Sequence, residues 1–179
     1  RRAVAHTSAY NFPLIPGTCA AAAGHVSIFF SEAALSDRAS FSLVSASDTG
    51  CVRTCNEDMV HVEPDLGLLL VADGMGGHNA GDVAAEMACS AIAEHIHECL
   101  SLSGEGVDWP RELKQALTTA HGRILHASRL NPAYEHMGCT AVAALLHDDQ
   151  LYLAHIGDTR AYLLRAGRLQ LLTRDHSPV

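Results

Sequence analysis

Leu66-Gly67-Leu68-Leu69-Leu70-Val71-Ala72-Asp73-Gly74-Met75-Gly76-Gly77-His78-Asn79-Ala80-Gly81-Asp82 is the stretch that sets the fold class. Leu66–Val71 is a short apolar run, as expected for a strand buried on both faces. It ends in Asp73, and a carboxylate at such a strand end is costly unless donors or a metal satisfy it. Gly74 can turn sharply and offer its carbonyl as a ligand, and Gly76-Gly77 permit close backbone approach. The same residues also suit a plain loop leading into a helix. His78 fits either a ligand or an ordinary loop histidine.

Working outward, the spacing predicts a helix over about Ala80–Leu100, with Val83, Ala84, Met87, Ala88, Ala91, Ile92 and Ile96 on one face. Asp108 reads as the N-cap of a second helix with Pro110 in its first turn. Its stripe is Leu113, Leu117, Ala120, Ile124 and Ala127. Thr140–Leu146 and Leu151–Ile156 flank the polar turn His147-Asp148-Asp149-Gln150, a hairpin signal. Ala161–Leu164 and Leu169–Leu172 around Ala166-Gly167 give another. Strands, two long helices and then hairpins imply an α+β layered fold. Residues 1–42, with Pro13, Pro16 and Gly17 and no sustained period, read as an extension of uncertain order before a domain portion at 43–179.

Composition narrows the partners. The 179 residues are 48% hydrophobic and 18% charged, with a formal net charge of -8. That acidity argues against nonspecific binding to nucleic acid or anionic membranes, so a phosphate-bearing substrate needs a local capture device. No apolar run approaches the ~20 residues of a membrane helix. Thr18–Phe30 is interrupted by Gly24-His25 and lacks a cleavage pattern for a signal peptide. The six cysteines (Cys19, Cys51, Cys55, Cys89, Cys99 and Cys139) are read as free buried thiols in a reducing, cytoplasmic compartment.

Two further clusters gather acids and glycines. Ser47-Asp48-Thr49-Gly50-Cys51-Val52-Arg53-Thr54-Cys55-Asn56-Glu57-Asp58 places a guanidinium beside two carboxylates. Arg can hold two phosphate oxygens, and carboxylates bind hard dications. A surface salt-bridge turn is the plain alternative. Gly157-Asp158-Thr159-Arg160, between two expected strands, fits a tight corner equally well. Asp175-His176 suggests a carboxylate–imidazole pair with no nucleophile nearby. On a helix His95 and His97 face apart, so that alternation makes no metal site.

In order, these clusters resemble the metal-dependent protein phosphatase family (PPM, type 2C), in its bacterial form. The family's Ser-Asp-x-Gly-x-x-Arg-x-x-Asn-Glu-Asp is matched from Ser47 to Asp58, and its Asp-Gly-Met-Gly-Gly-His-x-x-Gly-Glu from Asp73, with Asp82 in place of Glu. Met137-Gly138-Cys139-Thr140, Gly157-Asp158-Thr159-Arg160 and Leu172-Thr173-x-Asp175-His176-Ser177 fit the later motifs.

The resemblance implies a four-layer α/β/β/α sandwich of antiparallel sheets flanked by helices. It implies two Mn²⁺ or Mg²⁺ ions, with a third in some members. Asp73 would bridge the pair, with the Gly74 carbonyl and Glu57 as further ligands, Glu57 through water. Arg53 would clamp the substrate phosphate, Asp158 would help hold the third ion, and Asp58 and Asp48 would support. The implied activity is hydrolysis of phosphoserine and phosphothreonine in the targets of a cognate Ser/Thr kinase, by a monomer. Many eukaryotic members carry His directly after Asp-Gly as a candidate acid, whereas here that residue is Met75. Two further metal-binding Asp residues of the family lie beyond where Val179 falls. The expectation is therefore a domain incomplete at its C-terminus and inactive by itself. An inactive regulatory member and a non-functional fragment are the competing expectations.

Overall fold

The computed structural model describes residues 6–10, 17–23, 26–33, 40–49, 51, 53–76, 80–102, 106–148, 150–165 and 167–176. In chain order the first strands are β1 (His6–Tyr10), β2 (Gly17–Ala23), β3 (Val26–Ala33), β4 (Ser40–Ala46) and β5 (Asp58–Glu63). Next come β6 (Leu68–Met75), the helices α1 (Gly81–Leu102) and α2 (Trp109–Leu130), and the short strand β7 (Gly138–Cys139). The chain then forms β8 (Ala141–His147), β9 (Gln150–Ile156), β10 (Arg160–Arg165) and β11 (Arg168–Leu171).

Two antiparallel sheets result. One is six-stranded in the order β1-β9-β8-β6-β5, with β7 pairing on β6. The other is five-stranded in the order β11-β10-β2-β3-β4. Side chains alternate along β6, which explains why its run is apolar throughout. Leu68, Leu70 and Ala72 face the helices, in one cluster with Ile92, Ile96 and Leu113. Leu69 and Val71 face the second sheet, in another cluster with Ala161, Leu163 and Leu172. Small residues on α1 (Ala84, Ala85, Ala88 and Ala91) are all buried, so the helix packs closely on the sheet. The molecule is thus an α+β sandwich with α1 and α2 covering one sheet. The helix pair expected over the second sheet is not among the described residues.

Several expectations are met in detail. Asp108 caps α2, its side chain accepting from the Arg111 amide at 3.2 Å, with Pro110 in the first turn. Both hairpins form, β8 with β9 and β10 with β11. Three differences are informative. The strand expected to stop at Val71 runs on through Met75, because β5 pairs with it as far as Asp73 and β7 pairs with Gly74 and Met75. Leu66 belongs to a 3₁₀ turn before it. Four strands, β1 to β4, occupy most of the stretch expected as an extension. β1 pairs with β9, and β2 pairs with β10. Runs such as Ala20–Ala23 lack the polar alternation that marks a half-exposed strand.

Candidate metal centre

Asp73 lies near the end of β6, directly opposite Asp58 on β5 in the antiparallel register. Directly opposed residues share one face of a sheet with Cβ atoms about 5 Å apart, and like charges there repel. The backbone around them is held from two sides. The Gly74 amide donates to the Glu57 carbonyl at 3.0 Å, and the Thr140 amide donates to the Asp73 carbonyl at 2.9 Å. The Asp73 amide in turn reaches the Thr140 hydroxyl at 3.4 Å. Gly74 is buried against the Gly81 and Glu57 backbones, and any Cβ there would collide with both. A Cβ at Gly81 would lie 2.8 Å from Glu57 Oε1, so the Glu57 carboxyl rests on the start of α1. Glycines at 74 and 81 are therefore what let β5, β6 and α1 converge.

These residues fit a hard divalent cation. Asp73 and Asp58, opposite one another across the strand pair, and the neighbouring Glu57 offer the oxygen donors that such a cation prefers, with no soft ligand required. Arg53, by contrast, is the cation this cluster supplies itself. Its Nη1 lies 3.2 Å from Glu57 Oε2, with the guanidinium 66% exposed and the glutamate 16%. An exposed guanidinium fixed at one corner keeps its remaining donors for a ligand. Asn56 closes the loop behind it, donating to Ser47 Oγ at 2.5 Å and accepting from the Asp58 amide at 3.1 Å. Asp48 is exposed in the same loop. His78 lies outside the described residues.

The third cluster is joined to the first through Thr140. Its hydroxyl bonds to that of Thr159, which is buried. Gly157 has φ of 95°, and a Cβ there would come within 2.5 Å of Thr140 Cγ2. Asp158 is exposed in this turn between β9 and β10. The carboxylate–imidazole pair expected from Asp175-His176 gives way to a different arrangement. Asp175 takes a two-point grip from Arg160 at 2.9 and 2.6 Å, which holds its carboxyl below the usual range. His176 instead stacks on His155 with ring centroids 4.5 Å apart, and its amide donates to the Gly157 carbonyl at 2.9 Å. A guanidinium one strand away outcompetes an adjacent imidazole because its fork matches the carboxylate.

Among the described residues no disulfide forms, but the thiols are not uniformly buried: Cys51 and Cys55 are exposed. The Cys139 thiol, nearest the site, is pushed up to about 12 by burial and then by Asp73. It donates to the Ala84 carbonyl at 3.6 Å. A thiol held protonated in this way is no nucleophile. One grouping escaped the spacing argument. His95 and Cys99, at i and i+4 on α1, meet Glu112 of α2, with all three ligand atoms within 4.8 Å of one another. The i,i+4 spacing was visible, but the facing helix was not.

A family profile described as Protein phosphatase 2C matches residues 52–178. The chain belongs to the protein phosphatase 2C family. That span contains Arg53, Glu57, Asp58, Asp73, Gly74 and Asp158. The chain is 40% identical over 129 residues to the serine/threonine protein phosphatase PstP of Mycobacterium tuberculosis, covering 72% of this chain and 24% of that protein. It is 36% identical over 138 residues to the serine/threonine phosphatase stp of Listeria welshimeri, covering 74% of this chain and 54% of that one. A crystal structure of the PstP catalytic domain in complex with two manganese ions superposes with a TM-score of 0.64 at 39% identity, over 73% of this chain and 54% of that one. The chain thus spans about half or less of the relatives it matches. Protein phosphatase 2C enzymes are metal-dependent, in keeping with the oxygen-rich end of β6.

Proposed function

We propose that the protein is a metal-dependent serine/threonine phosphatase, with two Mn²⁺ or Mg²⁺ ions held by Asp73, Glu57 and the Gly74 carbonyl. The observation that carries this is the opposition of Asp73 and Asp58 across β5 and β6, with Glu57 alongside. When bound, the ions supply an activated water for attack on phosphorus and neutralise charge on the phosphoryl oxygens. The chain's own residues do the rest. Asp73 and Glu57 hold the ions, Glu57 through water, and Asp58 and Asp48 support them from the neighbouring strand and loop. Arg53 orients the substrate phosphate, because its contact with Glu57 fixes the guanidinium while leaving it exposed. Asp158, exposed in the turn joined to Asp73 through Thr140, takes part in a weaker third site.

Met75, 63% exposed at the strand end, has no proton to give a leaving alkoxide, so the chain places no side-chain acid at that point. The relatives' names favour phosphoproteins modified by a Ser/Thr kinase as substrates. This reading takes the protein to be a cytoplasmic monomer; among the described residues no helix is long and apolar enough to cross a membrane. The test is hydrolysis of an aryl phosphate and a phosphothreonine peptide with and without Mn²⁺, on the 179-residue chain and on the product of its whole reading frame. Metal-dependent turnover abolished by Asp73→Asn supports the proposal. Turnover that persists in a chelator, or that Asp73→Asn leaves at the parent's rate, overturns it.

A further inference from the structure

The C-terminal end of α1 and the first turn of α2 bring together three groups of a kind unlike those at the end of β6. His95 Nε2 lies 3.0 Å from Glu112 Oε2, and Cys99 Sγ lies 3.5 Å from the same oxygen. The side chains are partly buried, His95 18% and Glu112 24% exposed, so an ion has a route in. His95 and Cys99 share a helix face because they are four residues apart. Glu112 sits in the first turn of α2, where the helix N-terminus favours a carboxylate.

We propose that His95, Cys99 and Glu112 form a zinc site that pins α1 to α2, with water as the fourth ligand. Zinc bonds of about 2.0–2.3 Å in a tetrahedron set ligand-to-ligand edges of ~3.3 Å for nitrogen to oxygen and ~3.6 Å for sulfur to oxygen. The two observed separations match those edges to within a few tenths of an ångström, and the third pair, His95 nitrogen and Cys99 sulfur, lies within 4.8 Å. The mixed nitrogen, sulfur and oxygen set selects zinc over Mg²⁺ and Mn²⁺, which prefer oxygen alone. Binding exchanges the Cys99 thiol proton for the metal and releases that proton to solvent. The site closes the helix hairpin across the residues between Leu102 and Val107. It lies apart from Asp73, so the two centres separate by metal and by residue.

The experiment loads Zn²⁺, or Co²⁺ as a spectroscopic stand-in, into the 179-residue chain. A Cys51→Ser, Cys55→Ser background removes the two exposed thiols. X-ray absorption should show one sulfur at about 2.3 Å with nitrogen and oxygen at about 2.0 Å. Cobalt should give a thiolate charge-transfer band. Competition against a chromophoric chelator should show zinc affinity falling at least ~100-fold in Cys99→Ser, beyond the usual loss of a merely supporting partner. Glu112→Gln, which keeps the side chain's shape, should weaken zinc likewise, and Asp73→Asn should not. A coordination shell without sulfur, or a Cys99→Ser protein that binds zinc as the parent does, overturns the proposal. The absorption measurement needs no substitution at the site, so misfolding of a variant cannot hide the answer.

Discussion

At the end of β6 Asp73 faces Asp58 across the strand pair while Glu57 holds a guanidinium, whereas at the α1–α2 hairpin a single carboxyl meets two side-chain partners. The first arrangement sets two carboxyls of like charge face to face, with the guanidinium of the loop 3.2 Å from Glu57. The second is internally satisfied, with Glu112 accepting from Cys99 and paired with His95, so it stands with or without an ion. Folding therefore tolerates the helix cluster without an ion, whereas opposed carboxyls at β6 favour a cation between them. The backbone differs too: glycines 74 and 81 clear space at β6, while helical spacing alone assembles the other site.

The largest expected effect follows from removing charge where it is unbalanced. Asp73→Asn should cost on the order of 10²–10³ in metal-dependent hydrolysis, as loss of a group that organises transition-state charge does. It should leave the fold intact or slightly stabilised, because the repulsion from Asp58 disappears. Manganese titration calorimetry and thermal melting without metal check the two halves. A variant that loses Mn²⁺ binding and also melts well below the parent would show that Asp73 is structural.

Gly74→Ala probes the space instead of the charge. The new methyl must displace the Gly81 or Glu57 backbone, an overpacking cost of about 3 kcal/mol. Chemical denaturation should show it, and Mn²⁺ affinity should fall with it. A Gly122→Ala control, on the open face of α2 with nothing within 4 Å, should not destabilise. Arg53→Lys is smaller. It keeps the charge but loses the fork, and should raise the KM for a phosphopeptide about tenfold with less change in kcat. An equal fall in kcat and kcat/KM would place Arg53 in the transition state alone.

The comparison also explains what the sequence disclosed. β6, both helices, the Asp108 cap and two hairpins were legible because each carries its own period or turn chemistry. The glycine and aspartate clusters were legible as motifs in order. The face-to-face placement of Asp58 and Asp73 was not, since register between β5 and β6 is set by pairing that no local pattern encodes. Nor was Glu112 beside Cys99, thirteen residues away on another helix. Before residue 43, β2 was missed because its alanine run does not alternate, and β1 and β3 are too short and mixed to show a sustained period. Met75 shows the reverse case, a residue whose consequence is readable without the fold. Met75→His places a titratable group at the exposed strand end and should move the acid limb of the pH–rate profile. An unchanged profile would mean that the side chain does not reach the leaving group.

Glu63 provides the mildest test, as a carboxyl already matched inside the protein. It lies 2.5 Å from His61 of β5 and 2.7 Å from His97 of α1, with 23% of its side chain exposed. Burial pushes its carboxyl up, but the His61 hydrogen bond and the two imidazoles outweigh that and hold it below the ordinary 4.5. A depressed carboxyl stabilises the fold above its unfolded-state value, and that contribution is lost as pH falls through the folded-state value. Glu63→Gln should therefore lower stability by at most ~1 kcal/mol near neutrality. The gap between variant and parent should close as pH drops below about 4.5, in melts recorded across that range without metal. A gap that stays constant with pH would assign Glu63 to packing between β5 and α1. In that event the contrast between balanced and unbalanced carboxyls would rest on Glu112 and Asp73 alone.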